Sequence, residues 1–177
     1  MRKLLNEELD RKTAEEFKNS KKIPLVFVLD NIRSMNNIGS AFRSADSFLV
    51  EEICLCGVSA KPPHREIQKT ALGATETVSW SYFENTMDCI QRLKKNKYTL
   101  ISVEQTENSS LLSNFPFSDF EKVALVFGNE VFGVDQEVIN NSDWVIEIPQ
   151  SGTKHSLNVS VSIGVVSWEF YKAMNQK

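Results

Sequence analysis

Six short apolar runs constrain the fold of this chain more than any other feature: PLVFVLD (24–30), EEICLCGV (51–58), TVSWSYF (77–83), YTLISVE (98–104), KVALVFG (122–128) and WVIEIP (144–149). Several are nearly continuous in β-branched and aromatic residues, the pattern of strands covered on both faces. Between them lie segments with helical period. Residues 5–19 set Leu5, Leu9 and Phe17 along one side of an otherwise charged stretch. In 37–49, Ile38, Phe42, Ala45 and Leu49 recur at helical spacing, with Asn37 placed as N-cap. Residues 85–95 and 131–141 predict two further helices. Such alternation implies an α/β fold, a mostly parallel six-stranded sheet with helices on both faces.

The last segment differs in character. From Ser156 to about Ala173 the chain is apolar on most sides, and Ser156, Ser160, Gly164 and Ser167 form a stripe of small side chains. A helix that is apolar nearly all round is buried. In a chain of 177 residues, burial on both sides calls for a second subunit, so a homodimer through the C-terminal helix is expected.

The length suits one domain with a real core. No apolar stretch approaches the roughly 20 residues that span a bilayer, so no membrane contact is expected. The start, MRKLLNEELDRK, is charged and amphipathic and lacks the basic-then-apolar order of a signal peptide. Cys54, Cys56 and Cys89 are odd in number and lack metal-ligand spacing, which fits buried thiols in a reducing cytoplasm. The net charge of −3 argues against a protein that coats nucleic acid by bulk charge. Local patches remain: Arg11, Lys12, Lys18, Lys21 and Lys22 near the start, and RLKKNK (92–97). Each reads equally as a solvated face.

Ligands of parallel α/β sheets bind where loops leave the C-terminal ends of strands. Four such loops here are rich in polar and glycine residues: DNIRSMNNIGSAFRSAD (30–46), EQTENSS (104–110), GNEVFGVD (128–135) and QSGTKHSLN (150–158). Helix N-termini expected near 38, 131 and 157 would add partial positive charge. The sequence has no GxGxxG after a strand, no GxxxxGK[ST] and no GxSxG elbow. His64 and His155 have no partner at metal spacing. Dinucleotide, ATP, acyl-transfer and zinc chemistry are thereby disfavoured, and no metal is expected.

Three of these loops together resemble the SpoU/TrmH branch of the SPOUT RNA methyltransferases. NNIGSAFRSAD (36–46), LVFGNEVFGV (125–134) and IPQSGTKHSLNVSVS (148–162) follow the family's three motifs in order, and IQKTALGATETV (67–78) is a weaker echo. Gln150 departs from the family's usual methionine. The resemblance implies a C-terminal deep trefoil knot, a topology that is otherwise almost absent from proteins. It implies residues 1–22 as an N-terminal amphipathic helix and lead-in, and 23–177 as the catalytic domain. It further implies S-adenosyl-L-methionine as cofactor, RNA as substrate (tRNA favoured over rRNA) and transfer of a methyl group to a ribose 2′-hydroxyl. Recognition of RNA then falls to the dimer surface, the N-terminal helix and RLKKNK. A catalytically silent knotted RNA-binding protein is the alternative.

Carried over by position, the resemblance assigns cofactor contacts to Val103, Glu104, Gly128, Ile148, Ser156 and Leu157. It assigns catalytic or substrate roles to Arg43, Asn37, Glu130, Ser156 and Asn158, with Glu130 ordering Arg43. A guanidinium is effectively never deprotonated, so holding a phosphate and stabilising the forming alkoxide is the physically easier task for Arg43. Each residue also has a plainer reading. Arg43 could pair with Asp46 at i, i+3, Asn37, Ser156 and Asn158 could cap helices, and Glu130 could be a first-turn carboxylate.

Overall fold

The computed structural model of the chain describes residues 1–175. Seven strands, all parallel to their neighbours, make one sheet. They are β1 (Ile23–Asp30), β2 (Val50–Cys56), β3 (Trp80–Phe83), β4 (Thr99–Val103), β5 (Ser110–Leu111), β6 (Val123–Phe127) and β7 (Trp144–Glu147), in the order β3-β2-β1-β6-β4-β7-β5. Each of the six apolar runs holds one strand. The sheet has seven strands rather than six because Ser110 and Leu111 pair with Ile146 and Glu147 at its edge. Two residues are too few to carry a strand pattern.

Side-chain alternation divides the core into two layers. Leu25, Phe27 and Leu29 of β1 face one layer, where Phe42, Ile67, Ile163 and Phe170 are also buried. Those four lie on α2 (Met35–Ser47), α3 (Arg65–Ala71) and α7 (Val159–Asn175). Val26 and Val28 face the other layer, against Cys89, Ile90 and Leu93 of α5 (Thr86–Lys95) and Val138 of α6 (Gln136–Asn140). β1 is buried from Leu25 to Asp30 because helices cover both of its faces. Full burial of each large apolar side chain is worth about 1.5–3 kcal/mol. The rings of Phe27 and Phe127 meet edge to face at 5.8 Å, locking β1 to β6.

The helices depart from the sequence pattern at their ends. Residues 5–19 form no single helix. A 3₁₀ turn, Asn6–Glu8, and α1 (Ala14–Asn19) stand apart. Thr13 and Glu16 form a reciprocal capping box that starts α1 afresh, and only Phe17 reaches the core while Leu5 is exposed. Ser34, not Asn37, caps α2, so the helix begins at Met35 and the Asn37 side chain is free for a longer-range role. The segment 67–78 lies in α3, α4 (Ala74–Thr77) and their joint. In 131–141 only α6 is helical, because the Asn129–Gly133 turn takes up the first residues and Asp135 caps the helix behind it. α7 starts at Val159, behind Asn158. The stripe of small residues therefore splits: Ser156 precedes the helix, Ser167 is buried in the chain's own core, and Gly164 opens onto free space.

Candidate active site

Strand register builds the site. Val103 of β4 pairs with Phe127 of β6 on one side and with Ile146 of β7 on the other, so these strands end nearly level. The chain leaves them as three loops that surround a cavity of about 670 Å³. Val103, Glu104, Gly128, Ile148, Ser156 and Leu157, the positions expected to touch a cofactor, all line it. Its volume lies within the ordinary range for small-molecule pockets. Val103, Ile148 and Leu157 supply apolar wall, and Glu104 and Ser156 supply polar groups.

Side chains tie the loops together where no strand does. Glu104 Oε2 accepts from Val134 N at 3.0 Å, fastening the loop after β4 to the loop after β6. Gln105 Nε2 donates to the His155 carbonyl at 2.8 Å, fastening it to the loop after β7. Asn129 donates to the Asn31 carbonyl at 2.7 Å, and its Oδ1 accepts from Val131 N and Phe132 N. Gly128 has no alternative, because a Cβ there would strike Val134 N and the Gly133 carbonyl. Gly133 adopts φ +71°, and a Cβ would strike the Glu104 carboxylate. Gly152, by contrast, stands in open space.

A second group of polar residues leads from this cavity to α2. Glu130 accepts from Arg33 N, Ser34 N and Asn37 Nδ2, each at 2.9 Å. Asn37 Oδ1 accepts from Asn158 Nδ2 at 3.3 Å, and Asn158 Oδ1 accepts from Ser160 N at the start of α7. Glu130, Asn37 and Asn158 are thus one chain of hydrogen bonds across three loops. Partial burial pushes the Glu130 carboxyl up, but the bonds from Arg33, Asn37 and Ser34 outweigh it and hold the group below the ordinary carboxylate range.

Arg43 stands apart from this network. It is exposed on α2, six residues beyond Asn37, which is about 9 Å along a helix axis. Its guanidinium makes no hydrogen bond to Glu130, whose carboxylate is taken up at the start of α2. Nor does Arg43 pair with Asp46, whose Oδ1 accepts from Thr77 Oγ1 at 2.8 Å. Among the described residues, none accepts a hydrogen bond from the guanidinium, which leaves it available to an anion.

The basic patches are partly spent on structure. Arg92 turns inward to Glu52 Oε2 at 2.8 Å and Cys54 Sγ at 3.0 Å, leaving Lys94, Lys95 and Lys97 exposed. Lys22 lies 3.9 Å from the centre of the Phe17 ring. Hydrogen bonding with Cys89 and burial push the Cys54 thiol up, away from any nucleophilic role. Among the described residues, no three His, Cys, Asp or Glu side chains are grouped to hold a metal ion. No helix among them is long and apolar enough to cross a membrane. Sequence patterns missed Gln105 and Asn129, whose shared signal is an amide two residues beyond the end of a strand.

The model of the SpoU rRNA Methylase family matches residues 24–168. A 23S rRNA (guanosine-2′-O-)-methyltransferase from Neisseria meningitidis is 31% identical over 144 residues, 81% of this chain and 56% of the relative. The chain therefore spans little more than half of that relative's length. Among solved structures, the A. aeolicus TrmH/SpoU tRNA modifying enzyme superposes with a TM-score of 0.82 at 21% identity, over 92% of this chain and 81% of that one. The SpoU methyltransferase AviRb of Streptomyces viridochromogenes, solved with AdoMet, gives 0.79 at 19% identity, over 90% and 64%. These two likenesses establish a shared fold.

The Glu130 clasp has a measurable cost of removal. Glu130→Ala is expected to lower unfolding free energy by about 1 kcal/mol, as for a lost helix cap. Because the folded carboxyl is held below its reference value of 4.5, the clasp stabilises fully above that pH and is lost as pH falls through the folded value. Urea unfolding of both chains should differ at neutral pH and converge in acid.

Proposed function

The chain belongs to the SpoU rRNA methylase family, and from that premise we propose that it transfers a methyl group from S-adenosyl-L-methionine to a ribose 2′-hydroxyl of a structured RNA. The observation that carries the proposal is the cavity at the ends of β4, β6 and β7, joined by the Glu130–Asn37–Asn158 chain to the helix that bears Arg43. The residues present suit the cofactor. Gly128 lines the cavity, apolar side chains offer a wall for an adenosine, and Glu104 and Ser156 offer partners for polar groups.

When bound, the sulfonium supplies an electrophilic methyl group and leaves as a neutral thioether. Val103, Glu104, Gly128, Ile148, Ser156 and Leu157 hold it and fix its direction, which matters because in-line displacement rewards positioning. Asn37 and Asn158 orient the ribose side of the site. Arg43 holds the phosphate beside the target ribose and stabilises negative charge as the 2′-oxygen gives up its proton to solvent water. We take tRNA as the first substrate to try, ahead of rRNA. Three unpaired buried thiols suit the reducing cytoplasm.

Two finer features belong to the same proposal. β7 lies between β4 and β5, which are joined by the loop 104–109, and the chain leaving β7 must then reach α7 against α2. Threading through that loop would make the trefoil knot. A homodimer is supported by the outward side of α7, where Val161, Val165 and Trp168 are exposed around Gly164, with Leu157 just before the helix. A second copy of the same surface would cover these groups.

Labelled S-adenosyl-L-methionine incubated with bulk tRNA or ribosomal RNA, followed by digestion to nucleosides, should yield a 2′-O-methylated nucleoside. A methylated base, or no transfer at all, would count against the proposal. Arg43→Ala should lower transfer by about 100- to 1000-fold with an unchanged unfolding midpoint. A lowered midpoint would instead make Arg43 a structural residue. Gly164→Leu should leave the subunit folded, because its side chain meets open space, and should yield monomers by sedimentation. A mutant that remains dimeric would place the interface elsewhere.

A further inference from the structure

Phe132 is 85% exposed and its neighbour Val131 67%. Both sit at the tip of the turn after β6 and line the cavity. An exposed phenylalanine costs solubility and gains nothing for a subunit alone, yet this one is presented on a turn fastened at every side. Asn129 and Gly133 exchange two backbone hydrogen bonds at 2.9 Å. Asn129 Oδ1 takes the N–H groups of Val131 and Phe132, and Glu104 holds Val134 N just beyond the turn. The ring is held out rather than left loose.

We propose that Phe132 is the stacking platform for an unpaired base of the RNA, at or beside the nucleotide whose ribose is methylated. The proposal rests on the chain being an RNA 2′-O-methyltransferase. A nucleotide drawn out of its stack loses contact with its neighbours and needs an apolar face in exchange. The rim of this cavity is largely polar, with Gln105, Gln136, Glu147 and Asn158 along it. Of the two phenylalanines in its lining, Phe127 is 1% exposed within β6, which leaves Phe132 as the phenylalanine ring on offer, beside the smaller exposed imidazole of His155.

The chemistry of the tip narrows the mode of contact. The N–H groups of Val131 and Phe132 are already spent on Asn129, so the tip offers no backbone donor to a phosphate or a base edge. What remains is a face. The adjacent carboxylate of Glu130 is turned toward the start of α2 and satisfied there. A base that stacks on Phe132 is therefore accepted for its π-face rather than its identity, and choice of base has to come from other residues.

The test compares methyl transfer to bulk tRNA and bulk ribosomal RNA by the whole chain and by Phe132→Ala, Phe132→Leu and Phe132→Trp. Alanine and leucine should each lower kcat/KM for RNA by roughly 10-fold or more, and tryptophan should restore it. Affinity for S-adenosylhomocysteine by calorimetry, and the sedimentation coefficient, should stay as in the parent. A leucine variant as active as the parent would show that aromaticity is not used and would overturn the proposal. Loss of S-adenosylhomocysteine affinity would make the ring a wall of the cofactor pocket instead, and loss of the parent's assembly state would make it a protein contact. A parent chain that binds S-adenosylhomocysteine but methylates neither RNA overturns the methyltransferase assignment, and the stacking role with it. Activity in the parent together with an unaffected alanine variant overturns the stacking role alone.

Discussion

Val103, Phe127 and Ile146 stand side by side where three parallel strands end, and the cavity depends on that register. Parallel strands that stop together release three loops into the same small volume. Their backbone donors and acceptors must be satisfied without a ladder to join them. Side chains take over that task. Glu104 and Gln105 reach from the first loop to the other two, while Asn129 pins the second loop to the end of β1. The glycines at 128 and 133 follow from the same crowding, since a side chain at either would occupy space that backbone or Glu104 already fills. Cavity shape and loop stability are thus set by one group of contacts.

Charge is handled in the same way. Glu130 and Glu104 lie where an RNA phosphate would be repelled, yet each carboxylate is aimed at backbone N–H groups. Asp30, buried at the end of β1, accepts from Thr86 Oγ1 at 2.6 Å and from Asp135 N at 3.0 Å. Acidic groups thereby hold the frame. Arg43 is left exposed on the polar side of α2. The division suits a chain of net charge −3 that, under the proposed function, admits a polyanion at one place.

The sheet was legible in the sequence because buried parallel strands are written as unbroken apolar runs, and β1 from Leu25 to Asp30 is such a run. The three motif loops were legible because glycine, amide and carboxylate recur in them at family spacing. Helix ends were not. Ser34 displaced Asn37 as the cap of α2, and the freed Asn37 then bonded to Glu130, 93 residues away in sequence. A single-residue cap is chosen by tertiary partners that local pattern does not contain. Ser59, which joins the Leu29 carbonyl to Ile32 N beneath the site, had no local signal either. The two-residue β5 likewise exists only because β7 is there to pair with it.

The central claim is that the three loops form one cofactor site, and backbone amide spectra of the isotopically labelled chain titrated with S-adenosyl-L-methionine test it most directly. Saturable shifts at one-to-one stoichiometry should map to Val103, Glu104, Gly128, Ser156 and Leu157, with smaller changes relayed to Asn37 and Glu130. Shifts confined to the separate hollow lined by Asp30, Glu84, Asp88 and Asp135, or no shifts at all, would contradict it.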